Sequence, residues 1–477
     1  MKYETVIGLE VHLHLNTRTK AFCGCSTEFG SKPNSQTCPV CLGFPGSLPV
    51  YNKTALDYAI KVALALNCQV QEYTKFDRKN YYYPDLPKNY QISQFDLPLS
   101  LHGFLDIEME GKAKRIGITR VHMEEDAGKL IHKDTGSLVD LNRAGIPLLE
   151  IVSEPDISSP VEAHEYLSSL KSVLAYLDVS DCDMEKGSLR CDANISIRLS
   201  GDKKLGVKIE LKNMNSFKAV KEALKYEQER QARALDGGEV LVQETRLWDE
   251  KQGVSISMRV KEGSQDYRYF PEPDLPPFMI TKSKIEEIKA TLPESSKDKR
   301  MRFIKDYGLT ESDARILTVS KEDAQYSEEV MKSYKDTDKK LAVNWLIGSM
   351  FSEGNTRGLN LSGLKISPKN LCELIGFVQR QEISNLTAKS VLSEMIDSGK
   401  SASVIIKEKS LVQVSDTGQL DSVVQEVINT NPKSVADFKA GKDNALMFLV
   451  GQAMKKSKGK ANPKVLQDLF KRRLSDA

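Results

Sequence analysis

At 477 residues the chain is too long for one ordinary domain and suggests two to four. Hydrophobic content of 40% suits a globular protein in water, no apolar run approaches the ~18 residues of a membrane span, and a net charge of +2 excludes a polycation as a whole. The charge is nonetheless uneven. From residue 411 onward 11 Lys and Arg stand against 7 Asp and Glu, which leaves 57 against 59 for the rest, an acidic-leaning body with a basic tail.

The chain begins MKYETVIGLEVHLHL, which reads as a strand at once, without a basic-then-apolar leader or an Arg-rich transit segment, so a cytoplasmic location is expected. In IGLEVHLHL the apolar residues Ile7, Leu9, Val11, Leu13 and Leu15 alternate with Gly8, Glu10, His12 and His14. A side-chain period of two puts Glu10, His12 and His14 on one face, away from the core.

Next comes CGCSTEFGSKPNSQTCPVC, a C-x-C pair, twelve residues, then C-x-x-C. Four thiolates in two close pairs, Cys23, Cys25, Cys38 and Cys41, can fold onto one tetrahedral Zn²⁺; the bland alternative is four inert or redox-labile thiols. With every position filled by sulfur, such a zinc would staple the loop and activate no water. Cys68, Cys182, Cys191 and Cys372 are dispersed and read as buried free thiols, and the long chain does not suggest a disulfide scaffold.

TALDYAIKVALALN predicts a helix, and RIGITRV a strand that runs into RVHMEEDAGKLIH. This last stretch places Glu124, Glu125 and Asp126 together, which reads as a solvated acidic turn or as one wall of a metal cage. If it is extended, neighbouring side chains point opposite ways, so one of Glu124 and Glu125 faces an ion, and Glu125 is expected to be that one. In DLNRAGIPLLEIVSEPD, Glu150 sits inside the apolar run IPLLEIV, where a carboxylate must be partnered or bear a large desolvation penalty.

SSPVEAHEYLSSLKSVLAYL predicts a helix capped by Ser159, with Pro160 at the first helical position and Glu162 completing a capping box. DANISIRL and LGVKIELK are close enough to pair as a hairpin, and FKAVKEALKYEQERQARALDGG is a further helix ended by two glycines. Strands paired among themselves with helices laid over them make an α+β pattern rather than alternating βαβ units. Residues 294–408 carry helical periodicity, and 409–477 form a smaller helical segment with eight Lys and Arg between Lys455 and Arg473. Such a patch neutralises nucleic-acid phosphates, or simply solubilises the end of the chain.

Nucleotide signatures are absent. The one Gly-Lys-Ser, Gly399 to Ser401, has Glu394 where the first glycine of a P-loop belongs, and no G-x-G-x-x-G follows a strand. If ATP is used, carboxylate-held Mg²⁺ and scattered cations must hold its phosphates; Lys79, Lys88, Arg120, Arg143 and Arg190 lie in polar, motif-dense segments.

Taken together, ETVIGLEVHLHL, KFDRKNYYYPDLPKNYQISQFD, ITRVHMEEDAGK, DLNRAGIPLLEIVSEPD, GSLRCDANISIR, ELKNMNSF, ETRLWDE and SMRVKEGSQDYRYFPEPDLPP resemble the B-subunit family of the tRNA-dependent amidotransferases nearly end to end. The four cysteines resemble its zinc-containing branch. The resemblance implies a heterotrimer with a separate amidase (glutaminase) subunit, which releases ammonia from glutamine, together with a small third partner. It implies that ATP phosphorylates the side-chain carboxylate of Glu-tRNA(Gln) or Asp-tRNA(Asn) on this chain, and that ammonia then displaces phosphate. No Gly-Gly-Ser-Ser stretch of the kind that carries the amidase nucleophile is present.

By the same resemblance, His12, Glu125 and Glu150 bind Mg²⁺, with Glu10 and Glu124 next. Glu125, Glu150, Asp192 and Glu210 serve catalysis, the last two orienting substrate or a second ion. Lys79, Lys88 and Arg190 engage phosphate or the tRNA 3′ end, and Lys455, Lys456, Lys458 and Lys460 engage tRNA. Imidazole is atypical for Mg²⁺, so a contact of His12 with substrate is the alternative. The implied architecture is a β-rich catalytic cradle with mainly antiparallel strands and helices over 1–293, a helical domain over 294–408 and a C-terminal tail domain over 409–477. The competing readings are a non-catalytic, zinc-stapled tRNA-docking scaffold and a ligase that acts without partners.

Overall fold

In the computed structural model, which describes residues 2–109, 111–260, 267–411, 417–439, 442–457, 461 and 463–475, the first alternating segment is a twelve-residue strand, Tyr3–His14. Ile7, Leu9, Val11 and Leu13 are buried, whereas Gly8, Glu10, His12 and His14 are half-buried, as a period of two requires. Pro147–Ser153 pairs with this strand on one side and Leu189–Leu199 on the other, both antiparallel. Beyond Pro147–Ser153 come Lys112–Glu125, Ser100–Met109 and Gln69–Val70. Beyond Leu189–Leu199 come Ile209–Lys212, Glu244–Asp249 and Val254–Val260, for nine strands in all. Ile209–Lys212 and Glu244–Asp249 run parallel, with the helix Phe217–Asp236 between them in the chain.

The apolar side chains of the central strands form one core with three helices, Lys53–Ala65, Pro160–Tyr176 and Phe217–Asp236. Ala59, Ile60, Tyr166, Leu170, Val220 and Leu224 are all withdrawn from water there, together with Ile7, Leu9, Val11, Leu149, Ile151 and Ile195. Burial of this kind is the main stabilising term of the unit. It also fixes which face of the sheet is left for polar residues, because a one-residue slip would reverse every side chain. Cys68, Cys182 and Cys191 are buried and Cys372 is half-buried, and all are free thiols.

The helix Pro160–Tyr176 begins as expected, with Ser159 Oγ accepting from the Glu162 amide at 3.2 Å. The return half of the capping box differs. The Glu162 carboxylate accepts from the amide of Ser158, not Ser159, at 2.8 Å, because Lys114 Nζ draws it outward at 2.6 Å. The predicted hairpin forms between Leu189–Leu199 and only the last four residues of LGVKIELK, Ile209–Lys212.

Chain contacts separate Met1–Ser295 from Ser296–Ala477. The described residues of the second unit are helical, from Ser296–Tyr307 to Pro463–Ser475, with one core running from Phe303 to Ile406 and another from Leu420 to Leu474. The architecture is therefore α+β: a mostly antiparallel sheet with helices, followed by a helical region.

Candidate active site and metal centre

The polar face of the sheet gathers residues from strands far apart in sequence. His12 stands opposite Glu150, and Glu150 opposite His122 on the next strand, so three strands deliver one row of side chains. Glu124 has the same parity as His122 and joins the row. His122 Nε2 lies 3.1 Å from Glu150 Oε2 and 3.2 Å from Glu124 Oε1, and His12 Nε2 lies 3.7 Å from Glu150 Oε2. His122, Glu124 and Glu150 are 1%, 2% and 8% exposed.

Two carboxylates this close and this dry need positive charge nearby. Burial opposes charging His122, yet the Glu150 and Glu124 carboxylates outweigh it and push its pKa up to about 9. Burial likewise opposes ionising Glu150, but His122, His12 and Lys79 hold its carboxyl well below the ordinary range. Glu124 is also lowered, against both burial and the repulsion of Glu150, by His122 and Lys79. Ser93 Oγ donates to Glu124 Oε1 at 2.6 Å and Gln91 Nε2 to Oε2 at 3.2 Å, from a small sheet of Asp77–Asn80, Tyr90–Ser93 and Phe270–Pro271.

One ligand atom from each of His12, Glu124 and Glu150 lies within 4.8 Å of the other two, close enough for one ion. The two carboxylates fit a hard cation that keeps several waters, and the imidazole is the softer member of the set. Glu125, the ligand preferred from sequence, is on the other face. Lys88 Nζ sits 2.6 Å from both of its oxygens, and the Ile92 amide donates to Oε1 at 2.9 Å. The physical reason is strand parity: Glu150 pairs with His122, so Glu124, two residues on, shares its face and Glu125 does not.

The predicted cations divide. Lys88 is bound to Glu125, and Arg190 Nη2 is bound to Asp126 at 2.9 Å. Asp126 is a buried hub that also has His14 Nε2 at 2.5 Å and Arg143 Nε at 3.4 Å. Burial resists its ionisation, but Arg190, His14 and Arg143 hold its carboxyl far below the usual range. Lys79 forms no carboxylate ion pair among the described residues, its ammonium 5.1 Å from the Tyr267 ring centroid. Burial works against its charge, but Glu124, Tyr269 and Glu150 raise its pKa above the ordinary lysine value.

Further along the same face, Glu10 is opposite Asp192 and accepts from Asn194 Nδ2 at 2.8 Å. Lys212 bridges Asp192 and Glu210, with Nζ 3.1 Å from Glu210 Oε1, and Thr245 Oγ1 donates to Glu210 Oε2 at 2.8 Å. None of Glu10, Asp192 and Glu210 joins the His12 group within ligand distance.

The four cysteines do converge, with Cys23, Cys25, Cys38 and Cys41 sulfur atoms all within 4.8 Å of one another. A tetrahedral Zn²⁺ with Zn–S of ~2.3 Å sets sulfur atoms about 3.8 Å apart. Cys38 and Cys41 Sγ are 3.9 Å apart, so the set fits that ion. A hydrogen bond from Cys23, opposed by burial and helped by the Cys38 amide and Lys20, pulls the Cys41 thiol well below its ordinary pKa. Gly145, at φ +84°, turns the chain between Arg143 and the Pro147–Ser153 strand, and the space above it is bounded by Lys20, Cys41 and Glu125.

In the second unit Lys455 is exposed in the last turn of the helix Asp443–Lys456, and Lys456 pairs with Glu426. Lys458 and Lys460 lie outside the described residues. Sequence reasoning noted His122 and Asp126 in the acidic stretch without giving either a role, and missed Lys20 and Lys212. Parity could have given the first two their place, since His122, Glu124 and Asp126 alternate along one segment. Lys20 and Lys212 are isolated lysines with no local signal.

Residues 5–286 match the GatB/GatE catalytic domain model, and residues 325–474 match the GatB domain model. The chain is 55% identical over 479 residues to the B subunit of the aspartyl/glutamyl-tRNA(Asn/Gln) amidotransferase of Carboxydothermus hydrogenoformans, covering 99% of each. Identity to the B subunit so named from Caldanaerobacter subterraneus is 55% over 476 residues, covering all of both chains. For that of Persephonella marina it is 52% over 475 residues, covering 99% of this chain and 100% of the other.

Proposed function

The chain belongs to the GatB/GatE family, as a B subunit of the tRNA-dependent amidotransferases, and from that premise we propose that its first unit carries the ATP-dependent amidation site for misacylated tRNA. In this reading the side-chain carboxylate of Glu-tRNA(Gln) or Asp-tRNA(Asn) is phosphorylated by ATP, and ammonia then displaces phosphate to leave the amide. A free carboxylate is a poor electrophile, and phosphorylation supplies its leaving group. The demands on the protein are positioning and charge neutralisation, which need no P-loop.

The observation that carries the proposal is the group of half-buried His12 with buried Glu124 and Glu150 on the polar sheet face, the two carboxylates clamped by His122. Glu124 and Glu150, with His12, would hold Mg²⁺, which when bound neutralises phosphate charge. Lys79, charged and without a carboxylate ion pair among the described residues, would take a phosphate oxygen. Arg190 and Arg143, gathered by Asp126 beside His12, would orient the anionic substrate. Glu10, Asp192, Glu210 and Lys212 line the adjoining part of the face, suited to the aminoacyl end. Lys88 and Glu125 neutralise one another on the opposite face and are assigned no phosphate or metal role.

The same reading makes the chain one member of a heterotrimer, whose amidase member is the source of ammonia and whose third member is small. It places that complex in the cytoplasm, where misacylated tRNA is made, and gives the basic tail the task of holding tRNA. It further divides the chain into a cradle, a helical domain and a tail at about the boundaries expected from sequence, with a structural Zn²⁺ on the four cysteines.

The test is Glu124→Ala and Glu150→Ala in the assembled complex, assayed for glutaminase and for ATP-dependent amide formation. Loss of amide formation with glutaminase retained is expected. Unchanged amide formation in both variants would sink the proposal and favour a docking scaffold.

A further inference from the structure

We infer that the ammonium of Lys20 is the counter-charge of the four-cysteine site, holding Cys41 as a metal-bound thiolate and raising the affinity of the set for zinc. The inference rests on the zinc reading given above.

Lys20 is 0% exposed, among the largest fully buried side chains of the molecule. An ammonium taken wholly from water is costly unless an anion and hydrogen-bond acceptors compensate it. Among the described residues Lys20 Nζ donates to the carbonyl of Leu141 at 3.2 Å and to Cys41 Sγ at 3.7 Å. Among the described residues it forms no ion pair with a carboxylate. Glu125 borders the same cavity, about 200 Å³ in volume, but both of its oxygens are occupied by Lys88 at 2.6 Å. Among the described residues Cys41 Sγ is thus the potentially anionic group within hydrogen-bond reach of the buried ammonium.

The converse holds for the metal. Four thiolates around a dication leave a formal charge of about −2, itself in need of compensation in a partly buried loop. Cys41 Sγ receives two N–H donors, from Lys20 Nζ and from the Cys38 amide at 3.2 Å. Lys20 also donates its own backbone N–H to the Cys25 carbonyl at 3.0 Å. One residue therefore fastens both halves of the motif, the C-x-C turn through its backbone and the C-x-x-C turn through its side chain. Groups in this position orient ligands and tune their basicity, and losing one typically costs 10–100-fold in metal affinity.

The experiment uses the full chain and zinc itself as the probe. Zinc affinity is measured by chelator competition, and thiol protection by alkylation rate, for wild type, Lys20→Met, which keeps the stem, and Lys20→Arg, which keeps the charge. Folding in saturating zinc is checked by circular dichroism, and Lys20→Gln is read in place of Lys20→Met if the latter does not fold. Expected are about one zinc per wild-type chain, an affinity 10–100-fold weaker in the neutral variant, and Lys20→Arg nearer wild type. A neutral variant with wild-type affinity overturns the role of Lys20 and leaves the zinc site standing. Lys20→Arg as weak as the neutral variant overturns the charge argument in favour of packing. A wild-type chain that binds no zinc overturns the metal reading and this inference with it.

Discussion

His122 and Glu150 stand opposite one another on adjacent antiparallel strands, with Nε2 3.1 Å from Oε2 and both side chains buried. The pairing decides more than its own contact. It puts His122 and Glu124, beyond the register shift that leaves Ile116 and Ile118 in the core, on the face that carries His12, and it brings Glu124 within 3.2 Å of the same imidazole. The histidine thereby keeps two carboxylates together in a site that would otherwise repel them.

Replacing His122 by Leu is therefore expected to destabilise the first unit by about 3–5 kcal/mol, the cost of breaking a buried charge pair while its partners stay buried. Denaturant unfolding followed at Trp248, which lies in this unit, reports it. Millimolar Mg²⁺ is expected to restore part of the loss. A midpoint within about 0.5 kcal/mol of wild type, a near-neutral result by ordinary surface standards, would show that the imidazole carries no such burden.

Glu124→Gln and Glu125→Gln separate the two faces of one strand. The first is expected to lower ATP-dependent amide formation by at least about 100-fold, the scale of a lost charge-stabilising group. The second is expected to leave ATP-dependent phosphorylation of the substrate within a few-fold of wild type. It unpairs Lys88 and costs about 1–3 kcal/mol of stability. The opposite order of effects on phosphorylation would reverse the assignment.

In the second unit Arg302 donates to both oxygens of Glu328, at 3.0 and 2.9 Å, and Lys332 adds a contact at 2.6 Å. The Arg302 hydrogen bonds, against a burial cost and with help from Lys332, lower Glu328 to about 2 from the ordinary 4.5. A depressed folded-state pKa contributes stability that is complete above the unfolded value and is lost as pH falls through the folded one. Stability should thus drop between pH 4.5 and about 2 and drop less steeply in Glu328→Gln. Acid titration of Trp345 fluorescence in a Trp248→Phe chain measures it, and equal slopes in the two proteins would refute the linkage.

Removing Lys455 should weaken tRNA binding and lower the slope of log K against log salt by roughly 1, the value for one phosphate contact. Lys456→Ala should do less, because Glu426 already pairs with that ammonium. Anisotropy of labelled tRNA across a salt series distinguishes the two. Equal slopes in wild type and Lys455→Ala would remove this lysine from the interface.

Much of the site was legible one segment at a time. Glu10, His12 and His14 could be placed on one face because alternation is a local property of an extended chain. Glu150 stood out because a carboxylate inside IPLLEIV demands a partner. The cysteine spacing pointed to a shared ion before any distance was known. The choice between Glu124 and Glu125 was not legible, since both alternate equally well and only pairing with Glu150 orients the strand. Nor could single-residue reasoning tell which cations are already neutralised. Lys88, Arg190 and Lys79 look alike in sequence, and Glu125 and Asp126 engage the first two while Lys79 is left to the acidic cluster.

The sequence by itself determined the strand and helix types, the α+β pattern, the four-sulfur motif and the set of residues from which a site could be built, because these depend on periodicity, capping and short-range spacing. Tertiary structure alone decided the strand order, the face on which each carboxylate of EED lies, the clamp of His122 between Glu124 and Glu150, and the burial of Lys20 against Cys41. Those outcomes depend on which strands pair and in what register. Register is set by burying one whole face against three helices, a property of the assembled sheet and of no segment within it.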